Sequence, residues 1–159
     1  MRSILERCAA ARRERLEPGA ILLEEQERTG RLFVLIEGHV EVLRGNTQIA
    51  LIKEPGSIFG EMSILLDLPH TATVKAQSAV EVHVFDEAPR FLRSDPEIAF
   101  LIAKLLAQRL NAATTYLVDL KRQFADQSNH LEMVGEVLES LVHQQYEEVR
   151  PGSDRDPGL

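Results

Sequence analysis

Cysteine is nearly missing from this 159-residue chain, and Cys8 is the single one. No internal disulfide can form, and a chain of this length buries enough surface to hold a core without one. Beside Ala9, Ala10 and Ala11, Cys8 reads as an unremarkable thiol in a reducing compartment, so a cytoplasmic location is expected. No apolar run approaches the roughly eighteen residues that a bilayer span requires, which excludes a membrane-spanning helix. Positive charge is also short: 18 Lys and Arg stand against 25 Asp and Glu, for a formal net charge of −7. Affinity for a phosphate backbone comes largely from neutralising cations, so nucleic acid is not an expected partner. A small anionic ligand stays open, because local donors hold it whatever the net charge.

Catalytic and metal-binding patterns are missing too. His39, His70, His83, His130 and His143 are scattered, with no His-x-His or His-x-x-x-His pair to set two metal ligands on one face. No nucleophile turn of the Gly-x-Ser-x-Gly kind occurs. The chain is expected to be neither an enzyme nor a holder of a metal or cofactor.

What is present falls into two architectures. Pro18, Gly19, Gly30, Gly38, Gly45, Pro55, Gly56, Gly60, Pro69, Pro89 and Pro96 punctuate the first two thirds. Between them lie short runs rich in Val, Ile, Leu, Thr and Phe: residues 20–23, 31–37, 39–44, 47–52, 72–76 and 80–85. Their length and spacing predict strands of an antiparallel β-roll, jelly-roll-like, over residues 17–95. Gly45-Asn46, set between Val40-Val42 and Ile49-Leu51, predicts a hairpin. Gly38 predicts a tight bend where a side chain would clash. Residues 1–16, with Arg2, Arg7, Arg12, Arg13 and Arg15 interrupted by Glu6 and Glu14, predict a short capping helix in place of a targeting segment.

From Glu97 to Val149 there is no proline, and the apolar period becomes helical. A seven-residue spacing links Leu110, Leu117, Phe124, Leu131 and Leu138. A second series, offset by three, gives Leu106, Ala113, Leu120, Gln127, Val134 and Leu141. Residues 96–149 are therefore expected to be helical, with a coiled-coil seam of about five heptads that pairs two copies as a homodimer. Asp126-Gln127-Ser128-Asn129 is a polar cluster at which the helix could break and restart, but the register is in phase on both sides, which favours continuity. Residues 150–159 lack periodicity and are expected to be a disordered tail. The fold class is mainly β plus α: a β-roll with an N-terminal helix and a long C-terminal dimerisation helix.

The stretch from Pro55 to Val74 carries the chemistry. Gly60 permits close backbone approach, a helical turn opening near Glu61 offers N–H donors to an anion, and Glu61 is placed to accept from hydroxyls. Phe59-Gly60-Glu61, the apolar or small residues Met62, Ser63, Ile64 and Leu65, and then Pro69-His70-Thr71-Ala72 resemble the phosphate-binding cassette of cyclic-nucleotide-binding domains. Those domains occur in catabolite-activator-type regulators, kinase regulatory subunits and gated channels. The resemblance extends over about residues 15 to 112, with Leu16-Glu17-Pro18-Gly19 and Leu32 to Gly38 as flanking marks.

The resemblance implies that Glu61 binds a ribose 2′-hydroxyl. Phe59, His70 and Ala72 belong to the same implied ligand-binding set, in which the amides of Gly60, Met62 and Ser63 and the hydroxyl of Thr71 border the cyclic phosphate. It also implies that the C-terminal helix caps the base, with Asn111, Thr114 and Thr115 as polar candidates. One position departs, because His70 stands where the family has its phosphate-gripping arginine. A guanidinium is always charged and grips with two parallel bonds, whereas imidazole offers fewer donors and is largely neutral at neutral pH. Losing a charge-assisted bond of about 1.5 to 3 kcal/mol weakens binding on the order of ten- to a hundredfold. Lys75 is no substitute: alternation turns Ala72, Val74 and Ala76 inward and Lys75 outward.

Two functions follow. The first is a sensor that binds cAMP or cGMP in the β-roll and relays it through the dimerising helix. The second is a degenerate, ligand-independent module of the same fold that dimerises or docks a protein partner. A transcription factor is not expected, since Glu97 to Arg150 hold eight acidic residues against five basic ones and one heptad register fills the space a helix-turn-helix module needs.

Overall fold

The computed structural model describes residues 2–125 and 128–143. The chain divides into two compact units, Met1–Lys104 and Leu105–Leu159. In the first unit the order is α1 (Arg2–Arg7), β1 (Arg13–Leu16), β2 (Ile21–Leu23), β3 (Leu32–Glu37), β4 (Val40–Arg44), β5 (Thr47–Ile52), β6 (Ile58–Phe59), α2 (Glu61–Leu65), β7 (Thr73–Ala76), β8 (Val80–Phe85) and α3 (Ala88–Ser94). The helix α4 (Pro96–Gln123) begins there and continues into the second unit, which also holds α5 (Ser128–His143).

The strands form two antiparallel four-stranded sheets, ordered β1-β8-β3-β6 and β2-β7-β4-β5. Their inner faces enclose one core of Leu22, Leu23, Phe33, Leu35, Val40, Phe59, Val74, Ala76, Val80, Val82 and Val84. Phe33 and Leu35 reach that core by strand alternation, yet Leu32 and Val34 on the opposite face of β3 are equally buried. Ile4 and Cys8, Ala88 and Leu92, and Ile98 and Ile102 are buried as well. The first sheet is thus covered on both faces, which is why β3 reads as a continuous apolar run. Phe85, closing β8, stacks on Phe91 of α3 with ring centroids 3.9 Å apart.

The expected turns are present. Arg44 pairs with Thr47 across Gly45-Asn46, making the β4–β5 hairpin. At Gly38 the backbone takes φ +103°, and a Cβ would lie 2.4 Å from the Ala79 carbonyl oxygen. No side chain fits there, because the obstacle is a neighbouring backbone that cannot rotate away.

Two expectations change. The N-terminal helix does not extend to residue 16: α1 ends at Arg7, and residues 13–16 are an edge strand. Arg13 and Arg15 alternate with Glu14 and Leu16, so Leu16 packs against the core while both arginines reach Glu81 on β8 at 3.8 and 3.6 Å. Pairing along a sheet edge outweighs the weak helical pattern of so short a segment. The long C-terminal helix is likewise interrupted. It ends at Gln123, Phe124 and Ala125 are turn, and a second helix starts at Ser128. Lys121 Nζ lies 3.3 Å from where a Cβ on Gly135 would sit, whereas positions 121 and 135 of one unbroken helix would stand about 21 Å apart. The chain therefore turns back, and the two heptad series do not run through one helix. The break falls next to the sequence cluster Asp126-Gln127-Ser128-Asn129, a composition that disfavours helix interiors. The tail expected at 150–159 lies outside the described residues.

Candidate functional site

The segment after β6 is held by the first sheet. Phe59 and Ile58 pair with Phe33 and Val34 of β3, and Leu35 N–H donates to the Ser57 carbonyl at 2.8 Å. β6 therefore delivers Gly60 beside Arg31. Gly60 adopts φ +95°, and a Cβ there would lie 2.6 Å from the Arg31 carbonyl oxygen. Only glycine fits, and its left-handed turn starts α2 with Glu61, whose side chain is buried at 5% exposure. The first-turn N–H groups of α2 lack partners four residues earlier inside the helix.

From α2 inward, a directed hydrogen-bond chain crosses the site. Ser63 Oγ donates to the Gly60 carbonyl at 2.9 Å, and His70 Nδ1 lies 2.9 Å from the same Oγ. His70 Nε2 lies 2.8 Å from Thr29 Oγ1, which also accepts from Arg31 N–H at 3.2 Å. With the Ser63 proton on the Gly60 carbonyl and the Thr29 proton free to point at Nε2, Nδ1 is assigned as the donor to Ser63. Nε2 then accepts from Thr29. This assigns the neutral Nδ1–H tautomer. Burial, leaving His70 only 2% exposed, pushes its imidazole below the usual 6.5, and the nearby Glu27 charge offsets part of that.

The backbone fixes His70 as firmly. Its N–H donates to the Glu27 carbonyl at 2.9 Å, and its own carbonyl accepts from Gln26 N–H at 2.8 Å. Arg28 grips the outer end of the segment, donating to Asp67 Oδ1 and to the Asp67 carbonyl, each at 3.1 Å. Arg44, closing β4, donates from Nε to the Thr71 carbonyl at 3.1 Å.

The structure thus brings Phe59, Gly60, Glu61, Met62, Ser63, His70, Thr71 and Ala72 into one stretch framed by β6 and β7, with Met62 on the exposed side of α2. His70, expected to border the ligand as a largely neutral imidazole, is buried and has both ring nitrogens engaged by Ser63 and Thr29. Lys75 stands outward as expected and pairs with Glu41 at 3.9 Å. Asn111, Thr114 and Thr115 lie on α4 in the second compact unit, where the Thr115 hydroxyl donates to the Asn111 carbonyl at 2.9 Å. Sequence reasoning missed Thr29, Arg28 and Arg44. None of the three carried a signal in the sequence: Arg44 reaches Thr71 because β4 pairs with β7, Leu43 against Thr73.

Among the described residues no group of three His, Cys, Asp or Glu side chains is placed to hold a metal ion. Nor is any described helix long and apolar enough to cross a membrane.

Comparison with known proteins agrees with this geometry. Residues 13–90 match the family model of the cyclic nucleotide-binding domain. A cyclic nucleotide-gated potassium channel of Mesorhizobium japonicum is 31% identical over 114 residues, covering 70% of this chain and 31% of the channel. The mouse cGMP-dependent protein kinase 2 is 34% identical over 73 residues, 46% of this chain and 9% of the kinase. The chain therefore spans less than a third of the length of either relative. Among solved structures, the catabolite activator protein of Thermus thermophilus superposes with a TM-score of 0.62 at 25% identity, covering 76% of this chain and 60% of that one. A domain described as PKAR CBD2 bound to Sp-2Cl-cAMPS gives 0.57 at 25% identity, covering 74% of this chain and 83% of that one. From β1 through the start of α3, this chain belongs to the cyclic nucleotide-binding domain family.

Proposed function

We propose that this chain is a regulatory sensor that binds a cyclic nucleotide, cAMP or cGMP, between Gly60 and Ala72 and relays its presence through a dimerising α4. The observation that carries this reading is the Gly60-Glu61 turn. A left-handed glycine pressed against the Arg31 carbonyl opens a helix whose first residue is a buried carboxylate. A carboxylate at that place has the chemistry to accept from a ribose hydroxyl. The backbone N–H groups beside it suit a phosphate. The channel and kinase relatives are named for cyclic nucleotides, which supports the same ligand class here.

Relay through α4 is the further part of the proposal. Ile98 and Ile102 of α4 are buried in the β-roll unit, while Leu110 farther along α4 and Phe124 in the turn after it, both on the heptad seam, are exposed. A second copy of α4 is the proposed cover for that apolar stripe, and Asn111, Thr114 and Thr115 are the proposed contacts to the base.

A second reading has its own support. His70 spends both ring nitrogens inside the protein. A module that has lost its ligand and retains only docking or dimerisation would keep such a strut. Isothermal titration of cAMP and of cGMP into the purified protein separates the two. Saturable heat with either nucleotide supports the sensor. No heat and no change in melting temperature at millimolar nucleotide leaves the docking module. Sedimentation with and without nucleotide tests the relay, with a dimer whose shape responds to ligand as the expected result.

A further inference from the structure

A singly charged cyclic phosphate beside α2 binds more tightly where a fixed positive charge faces it, and His70 does not supply one. Its Nδ1–H is committed to Ser63, its Nε2 accepts from Thr29, and burial disfavours the charged ring. Three guanidinium groups come near the segment. Arg28 is held by Asp67 through two bonds. Arg31 is paired with Asp86, Nε to Oδ1, at 3.0 Å. Arg44 differs: among the described residues it has no carboxylate within ion-pair distance, and its bond is the one from Nε to the uncharged Thr71 carbonyl.

That bond sets the Arg44 guanidinium at the residue directly after His70. Strand pairing of Leu43 with Thr73 fixes the backbone from which it extends. On the other side of the hairpin, Glu25 spends a carboxylate oxygen on Gly45 N–H at 2.7 Å. With Nε engaged, the two Nη groups of Arg44 remain as a planar fork, the shape that matches two phosphate oxygens.

We propose that Arg44, reaching across from β4, is the cation that meets the ligand's phosphodiester, taking over the charge that position 70 no longer provides. This rests on the cyclic-nucleotide reading above. Arg44 is a specificity residue for the anionic group and has no part in recognising the base.

The test is nucleotide titration into the wild-type chain, Arg44→Gln and Arg44→Lys at low and high salt, with far-UV circular dichroism to verify folding. Arg44 is solvent-exposed, so the expected loss in Arg44→Gln is about tenfold in Kd, the low end for a charge-assisted bond. The salt dependence of Kd should flatten in Arg44→Gln and persist in Arg44→Lys. If the wild type binds no cyclic nucleotide, the parent reading fails. If it binds and Arg44→Gln binds equally well, the parent reading stands and this inference is overturned. Weaker binding with an unchanged salt dependence also overturns it, because Arg44 would then act only by holding Thr71.

Discussion

Ser63 Oγ and His70 Nδ1 lie 2.9 Å apart and both groups are buried; in the assigned Nδ1–H tautomer, the imidazole donates to the hydroxyl. Position 70 is therefore part of the scaffold, tying the end of the segment to the turn that begins it. Ser63→Ala should leave the Nδ1–H without an acceptor and cost about 1–3 kcal/mol in urea unfolding. Thr29→Val should act on the other nitrogen. Because both bonds belong to one chain of donors, the double variant should lose less than the sum of the single losses. Strict additivity would show that the two bonds are independent.

Acid sensitivity follows from burial. His70 and His83 are each 2% exposed, and desolvation first of all holds both imidazoles below the usual 6.5. Below that value the unfolded chain takes up protons that the folded one refuses. Their contribution to stability is fully present above about pH 6.5 and is lost as the pH falls toward the depressed folded values. Urea midpoints should drop from neutral to mildly acidic pH. The drop should shrink in the double variant His70→Gln/His83→Gln, and an undiminished drop would assign it to other groups.

The two crowded glycines should rank in a definite order. Gly60→Ala meets the Arg31 carbonyl oxygen at 2.6 Å with φ +95°, and the strain should cost about 1–3 kcal/mol. Gly38→Ala meets Ala79 O at 2.4 Å, and Val80 Cγ1 and Cα at 2.7 and 2.8 Å, so it should cost more or prevent folding. Thermal melts of the two variants check this, and a milder effect at Gly38 would contradict it.

Cys8 should be inert in the folded protein. It is 1% exposed, and burial together with the Asp95 charge pushes its thiol up to about 11. Ellman's reagent at pH about 8 should detect one thiol only after denaturant is added. Prompt reaction in the native state would mean that α1 opens readily.

Much of this protein is legible in its residues alone. Period-two runs between Gly and Pro locate six of the strands, Gly45-Asn46 sets a hairpin, and Gly38 marks a contact no side chain survives. The segment from Phe59 to Ala72 is recognisable because a glycine, a carboxylate and small residues at fixed spacing encode local backbone geometry.

Other features depended on groups far apart in the chain. Residues 13–16 became a strand because β8 offered an edge and Glu81 a partner, and no local pattern carries that information. The break after Gln123 lies beside a polar cluster, yet the in-phase leucines favour continuity, and the structure overturns that expectation. His70 shows the difference most clearly. Its identity marks a lost guanidinium, but only folding brings Ser63 and Thr29 to its two nitrogens and sets Arg44 against the next carbonyl. Sequence alone determined the local turns and the alternation of faces, since these depend on neighbouring dihedral angles and side-chain period. Tertiary structure decided which charges survive at the site, because desolvation and hydrogen-bond partners are properties of the packed chain.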